Sequence, residues 1–484
     1  MISPPLRWSD LPGRRVGVWG AGAEGRATLR RLGRLGVQPS VVVDDNPAEP
    51  WIVATSPGGM ELLSRCDVVI KSPGISRYGE KSMALEAGGV AVVGGMGLWL
   101  EEVGSGRVIG ITGTKGKSTT TSVAAHLAAG MGRTCFVGGN LGTAPWDPEP
   151  QAGLPGDTPE PDLWPDPDLW IVEISSYQAT DLWSSPAVVA VTSLHPDHLD
   201  WHGSLDAYYS DKLSLCGRPG ARITVANGTD ERLRQRAGSL APGPRWVLPP
   251  DGEGDGDGGG AGGGDWGGDW GGAGGGDWGG AGGGGPSSHA EWVGRLGLRG
   301  RHNIVNALIA ATCLEEMGIS EASDPDRLAE AASGFQPLPH RLQTVAVIGG
   351  VEYVDDSLST NVLPTIAAAE VFADRPLALI AGGFDRDIDY RPLALHLAGR
   401  DEPSLVLTVP DNGERIRREV GACGVDVVAC DDIEHAVLAA SRWAIPGAVV
   451  LLSPAAASYG RFNDYRHRGG VFRAAVEALR EATS

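Results

Sequence analysis

The chain has 484 residues, a length suited to about three domains at ~150 residues each. Its formal net charge of -20, from 60 acidic and 40 basic residues, argues against nucleic acid or an anionic membrane as the main partner. Six scattered cysteines with no CxxC pair suit thiols kept reduced in a cytoplasm, and nothing reads as a signal peptide or membrane insertion.

Residues 15–104 alternate short apolar runs with helix-like segments, the runs being Val16–Trp19, Val41–Val43, Asp67–Ile70 and Val90–Val93. This is the rhythm of a parallel α/β sheet. Gly20-Ala21-Gly22-Ala23-Glu24-Gly25 follows the first run and matches GxGxxG; Asp44 and Asp45 follow the next, where a ribose-binding acid would lie. Taken alone, this suggests a nicotinamide or flavin oxidoreductase. A glycine turn of this kind at a helix N-terminus equally holds the diphosphate of another nucleotide, or no ligand.

A second α/β set begins at Val108. Residues 110–119 read Gly-Ile-Thr-Gly-Thr-Lys-Gly-Lys-Ser-Thr, between an apolar run and the helix-like segment Ser122–Leu127. Strand, glycine loop and helix form the context in which backbone N–H groups wrap a polyphosphate. Lys117 is placed for the β- and γ-phosphates, and Ser118 or Thr119 for Mg²⁺. The general phosphate loop has glycine where Ile111 stands; here the glycines are Gly110, Gly113 and Gly116, a particular sub-type.

Residues 145–168, rich in Pro and Asp, are expected to form a long surface loop. Glu173 ends the next apolar strand, Leu169–Val172, and an acid there beside a phosphate loop suits Mg²⁺ or stands solvated. After the strand Ala187–Thr192, residues 195–202 hold His195, His198, His202, Asp197 and Asp200. Their spacing matches no zinc signature, so a single His or Asp contact to Mg²⁺ or its water fits better. Lys212, fourteen residues after His198, reads by itself as a surface lysine. Residues 251–285 are almost wholly Gly, Asp, Ala and Trp and are expected to be a disordered insertion, with Trp266, Trp270 and Trp278 part of a spacer.

Gly300–Ala307 opens an apolar helix with Asn303 and Asn306 on one face, set to read a base or cap the helix. A third α/β set begins near residue 340 and includes Leu377–Ala381, Ser404–Thr408 and Val449–Ser453. Arg341, in Pro339-His340-Arg341, is placed to clamp a phosphate. Asp355-Asp356-Ser357 puts acids at a strand end. Ser453–Ser458, before the Tyr/Arg-rich Tyr459–Arg468, suits a small carboxylate.

In this order the motifs resemble those of the Mur ligases, the ATP-dependent amino-acid-adding enzymes of peptidoglycan precursor synthesis. The matching pieces are the Gly-Thr-Lys-Gly-Lys-Ser-Thr loop, Glu173-x-Ser-Ser-x-Gln178, Asp197-His198-x-Asp200, His302-Asn303-x-x-Asn306, Pro339-His340-Arg341, Asp356-Ser-x-x-Thr360-Asn361 and Ser453-Pro-Ala-x-Ala-Ser458. The resemblance covers nearly all of the chain outside 145–168 and 251–285. It implies three α/β domains in series: a Rossmann-like UDP-sugar-binding domain over 1–104, a P-loop ATP-binding domain over 105–337, and a Rossmann-like amino-acid-binding domain over 338–484.

The resemblance also implies roles, residue by residue. Gly113, Thr114, Lys115, Gly116, Lys117, Ser118, Thr119, Asn303, Asn306, Arg341 and Asp356 would contact ATP. Ser118, Glu173, His198 and a carbamylated Lys212 would hold Mg²⁺, and Lys117, Glu173, His198 and Lys212 would carry catalysis. Gly22, Arg26, Asp44, Ser72 and Gly74 would bind the uridine diphosphate, and Asn140, Ser175 and Gln178 the rest of that substrate. Leu358, Thr360, Arg386, Ser458 and Tyr465 would surround the incoming amino acid. The implied reaction adds glutamate to UDP-N-acetylmuramoyl-L-alanine through an acyl phosphate, in a monomeric cytoplasmic enzyme of cell-wall biogenesis.

Members that add D-glutamate usually carry Lys in Asp-Ser-Lys-Ala-Thr-Asn, where this chain has Leu358, and Lys after the Gly-Gly turn, where it has Arg386. Arg and Lys hold a carboxylate differently, so the pair favours the L-glutamate-adding branch, with D-glutamate as the alternative. Among other classes, an oxidoreductase would leave the second glycine loop and Glu173 without a task. A folate polyglutamate ligase shares the ATPase core but would not open with GxGxxG, and a non-catalytic nucleotide-binding regulator would not need Lys117, Glu173, His198 and Lys212 together.

Overall fold

The computed structural model describes residues 5–140, 142–149, 166–249, 286–386 and 388–483, the side chains of 57, 199, 200 and 286–290 apart. The Gly-rich insertion expected at 251–285 and most of the loop expected at 145–168 lie outside the described residues. The fold is α/β, with three sheets in series.

The first sheet has strands β1 (Val16–Trp19), β2 (Val41–Asp44), β3 (Val53–Ala54), β4 (Val68–Lys71) and β5 (Ala91–Gly94), all parallel, in the order β3-β2-β1-β4-β5. The order reverses between β1 and β4, and a ligand crevice in such sheets lies outside the strand C-termini at that reversal. Gly20–Gly25 and Ser72–Gly74 are the two segments that leave those termini.

The second sheet has β6 (Val108–Thr112), β7 (Cys135–Gly139), β8 (Leu169–Glu173), β9 (Val188–Val191), β10 (Ile223–Asn227) and β11 (Pro244–Val247), parallel, in the order β11-β10-β9-β6-β8-β7. β6, β8 and β9 are buried throughout, as expected of strands covered on both faces. β6 therefore delivers its C-terminal loop between the ends of β8 and β9. The first two sheets share one apolar core, in which the Trp99 and Trp170 rings meet edge-on at 5.2 Å.

The third sheet has β12 (Gln343–Ile348), β13 (Val351–Asp355), β14 (Leu377–Ala381), β15 (Ser404–Thr408), β16 (Asp426–Ala429) and β17 (Val449–Leu452), in the order β12-β13-β17-β14-β15-β16. All pairs are parallel except β12 with β13, a hairpin. Its turn is Gly349-Gly350, both at positive φ (58° and 79°), which a two-residue hairpin of this twist requires.

The chain divides into two compact units. One holds the first two sheets and the helix residues 302–316; the other holds the third sheet together with residues 297–301. No helix among the described residues is long and apolar enough to cross a membrane.

Candidate active site

The phosphate loop is built by backbone geometry. Gly113 (φ 138°) and Gly116 (φ 90°) turn the chain where other residues would be strained. A Cβ on Gly113 would stand 2.1 Å from Thr192 Oγ1, and one on Gly116 2.5 Å from Asn306 Oδ1. Thr114 N donates to Ser193 O (2.8 Å), Lys115 N to Ser193 Oγ (2.8 Å), and Thr192 Oγ1 to Lys115 O (2.5 Å), so the segment after β9 braces the loop. Gly110 lies inside β6 instead, under Pro186 and Ile174, and belongs to packing rather than to the loop.

The helix Lys117–Gly130 starts at the loop. Lys117 Nζ donates to Gly113 O (3.0 Å) and Thr114 O (3.3 Å), closing the loop on itself. Ser118 Oγ donates to Glu173 Oε2 at 2.7 Å, and Asn140 Nδ2 to Glu173 Oε1 at 2.6 Å. Thr119 is buried in the helix. Lys115 Nζ is 3.6 Å from Asp197 Oδ2. Asn306 Nδ2 donates to Asn303 Oδ1 (3.1 Å), which confirms their common face. A serine hydroxyl and a carboxylate meeting at the loop's rim are hard oxygen donors of the type Mg²⁺ takes, so these residues fit that ion.

Lys212 corrects the surface-lysine expectation. It is buried on the helix Leu205–Leu213, with Nζ donating to Gly113 O at 3.0 Å and lying 5.0 Å from the Tyr208 ring centroid. Burial, and then the nearby Lys117 charge, push its pKa well below the ordinary lysine value. His198 has φ 51°, its backbone N–H donates to Asp197 Oδ1 (3.0 Å), and burial lowers its pKa. Thus Lys117, Lys212 and the Ser118–Glu173 pair converge on one loop, with His198 on the segment after β9.

At the first sheet, Asp44 braces the glycine turn: its carboxylate accepts from Ala21 N (2.6 Å) and Asn46 N (2.8 Å). Gly22 caps the helix Ala23–Arg34, and Arg26 pairs with Glu49 at 2.9 Å. Ser72 Oγ donates to Gly20 O (3.3 Å), and the Gly74 carbonyl accepts from Trp201 Nε1 (3.0 Å). Ser175 and Gln178 form a capping box on the helix Ser176–Ala179. Gln178 Nε2 also donates to Glu24 Oε1 at 2.7 Å.

In the other unit, Asp356 is buried. It accepts from Ser453 Oγ (2.7 Å) and Leu342 N (3.3 Å), and desolvation raises its pKa to about 6. Arg341 sits between two residues at positive φ, His340 (66°) and Leu342 (46°), and its charge acts on Asp356. Leu358 and Thr360 are half-buried, and Leu358 N donates to His340 O (3.2 Å). Ser458 is buried, Tyr465 opens the helix Tyr465–Thr483 with its ring edge-on to His340, and Arg386 is exposed.

Several partners escape a motif reading. Glu24, whose pKa burial raises to about 7, faces Gln178; Lys71 and Asp181 form a buried pair at 2.5 Å. Lys71 was detectable as a charge closing an apolar strand, but its partner lies 110 residues away. Arg468, fully buried, donates to Ala456 O and Ser357 O, each at 2.9 Å, and so ties together two of the segments expected around the amino acid.

Comparison with known proteins places the chain in a family. Residues 111–242 match the Mur ligase middle domain, and residues 340–456 the Mur ligase, glutamate ligase domain. The chain is 38% identical to a UDP-N-acetylmuramoyl-L-alanine--L-glutamate ligase of Micromonospora sp., over 97% of this chain and 98% of that protein. It is 38% identical to one of Salinispora tropica (97% and 99%) and 35% identical to one of Xanthomonas campestris pv. campestris (96% of each). Its fold is similar to UDP-N-acetylmuramate-alanine ligase from Thermotoga maritima, with TM-score 0.52 at 16% identity over 97% of this chain and 100% of that one. It is also similar to MurF from Acinetobacter baumannii, with TM-score 0.52 at 13% identity over 92% and 86%. The chain belongs to the Mur ligase family. It is an ATP-dependent acid–amino-acid ligase, which sets aside the oxidoreductase and the non-catalytic regulator.

Proposed function

We propose that the chain joins L-glutamate to UDP-N-acetylmuramoyl-L-alanine with consumption of ATP, through an acyl phosphate and with Mg²⁺. The observation that carries this reading is the 38% identity, over nearly the whole of both chains, to relatives of that name. The loop geometry supports it physically. Backbone N–H groups of residues 116–119, at the start of the helix, wrap the ATP phosphates, and Lys117 exchanges its Gly113 and Thr114 carbonyls for phosphate oxygens.

Ser118, Glu173 and His198 would hold one Mg²⁺, and a carbamylated Lys212 would present a carboxylate to a second. Burial lowers the Lys212 pKa and so favours the neutral amine, the form able to take up CO₂ as a carbamate. Mg²⁺ bound there offsets charge on the transferring phosphoryl group. The alanyl carboxylate takes the γ-phosphoryl group, the glutamate amine attacks the acyl phosphate, and the tetrahedral intermediate expels phosphate. No side chain needs to attack the substrate as a covalent nucleophile. Asn303, Asn306, Arg341 and Asp356 complete the ATP contacts.

The first sheet's reversal point takes the uridine diphosphate, with Gly22, Arg26, Asp44, Ser72 and Gly74 around it and Asn140, Ser175 and Gln178 on the remainder. Thr360, Arg386, Ser458 and Tyr465 receive glutamate. Leu358 and Arg386, where D-glutamate-adding members usually have lysines, favour the L isomer. Phosphate release by the purified protein with ATP, Mg²⁺ and UDP-N-acetylmuramoyl-L-alanine tests this, L- and D-glutamate being added separately. Turnover with L-glutamate only is expected. Turnover with D-glutamate only would reverse the stereochemical assignment, and none with either would refute the reaction.

A further inference from the structure

The proposed chemistry uses one of the three histidines in residues 195–202, yet another, His202, is closely anchored. Its side chain is fully buried, with Nδ1 2.7 Å from Asp211 Oδ2 and Nε2 3.0 Å from Ser176 Oγ. The other Asp211 oxygen accepts from the Tyr78 hydroxyl at 2.6 Å. Tyr78 lies on the segment that leaves β4, and so does Gly74, whose carbonyl accepts from the indole of Trp201, next to His202. One hydrogen-bonded chain therefore runs from the first sheet's loop through Asp211 and His202 to Ser176.

The ends of this chain matter. Asp211 precedes Lys212 on the helix Leu205–Leu213, and Ser176 opens the short helix that carries Gln178. A carboxylate with both oxygens engaged keeps one rotamer, and an imidazole held at both nitrogens keeps one orientation. Charge-assisted bonds of this kind are the strong ones, and the His202 end is out of water.

We infer that Tyr78, Asp211, His202 and Ser176 form a positioning relay. It sets Lys212 and Gln178 in register with the loop at residues 72–78, where the nucleotide sugar seats. The inference rests on the reaction proposed above. None of the four is a catalytic residue: each acts through the backbone it fixes.

Tyr78→Phe is the leading test, because it removes one oxygen from a half-exposed ring and leaves the packing intact. The expected result is a KM for UDP-N-acetylmuramoyl-L-alanine raised about fivefold and a kcat lowered about tenfold, with the KM for ATP within about twofold. Asp211→Asn is expected to cost more, and the double variant to match Asp211→Asn within about twofold, since both changes break one link. Independent, multiplicative effects would overturn the relay. So would a lower melting midpoint with unchanged kinetic constants, the mark of a mere buttress.

If the wild-type protein turns over neither glutamate isomer, the proposed reaction fails, and amide hydrogen exchange still tests the relay. Tyr78→Phe must then speed exchange across residues 176–179 and 205–213. Unchanged exchange there refutes it.

Discussion

Gly113 and Gly110 sit three residues apart in one motif, yet substitution at each should fail in a different way. At Gly113 an alanine would adopt φ near 138°, a strain of about 1–3 kcal/mol for a residue with a side chain. Its Cβ would also displace Thr192 Oγ1, whose single proton is shared between Thr112 O and Lys115 O, at about 1 kcal/mol for the lost hydrogen bond. The loop conformation is therefore disfavoured by about 2–4 kcal/mol, and at 1.4 kcal/mol per decade the KM for ATP should rise roughly 30-fold or more. At Gly110 the backbone is ordinary strand, and the added methyl would meet Pro186 Cγ at 2.5 Å. This is overpacking, worth about 1–3 kcal/mol of stability. Gly110→Ala should lower the urea midpoint at unchanged slope and leave the KM for ATP within about threefold. ATP titrations and urea unfolding on both variants decide the matter. A Gly113→Ala protein with an ATP KM near wild type would show that the loop does not hold phosphate in this conformation.

Glu173→Gln still accepts from Asn140, turns the Ser118 hydroxyl from donor to acceptor, and removes the charge; turnover should fall at least about 100-fold with nucleotide binding within about fivefold, read by phosphate release and calorimetry. The Asp356 pKa is raised from 3.8 to about 6 by burial, so the folded state binds the extra proton and stability falls as pH climbs from about 4 to about 6. The shift corresponds to about 3 kcal/mol, and Asp356→Asn should flatten that part of the urea-midpoint profile; an unchanged slope would refute the assignment. Leu358→Lys with Arg386→Lys should raise the ratio of D- to L-glutamate turnover at least about tenfold, measured with each isomer separately. An unmoved ratio would detach these positions from stereochemical choice.

What sequence made legible is what lies contiguous in the chain. β6, its glycines and the helix after it follow one another, so the phosphate loop could be read without the fold, and the four-residue face of Asn303 and Asn306 likewise. The Gly349-Gly350 pair carries the signal for the antiparallel β12 edge in the same local way. Lys212 could not be read so: it lies among Tyr208, Tyr209 and Leu213 on the buried face of its helix, but what its amine meets there is the loop, 99 residues earlier. Gln178 with Glu24, Lys71 with Asp181 and Tyr78 with Asp211 are likewise 154, 110 and 133 residues apart. These long-range pairs join the first sheet's loops to the segments beside the phosphate loop. Local motifs specify which chemistry the second sheet can perform. On the proposed reading, register between the nucleotide-sugar crevice and that chemistry rests on polar pairs that only the folded chain brings together, so the kinetic consequences of altering them should appear in the sugar-nucleotide KM before they appear in ATP binding.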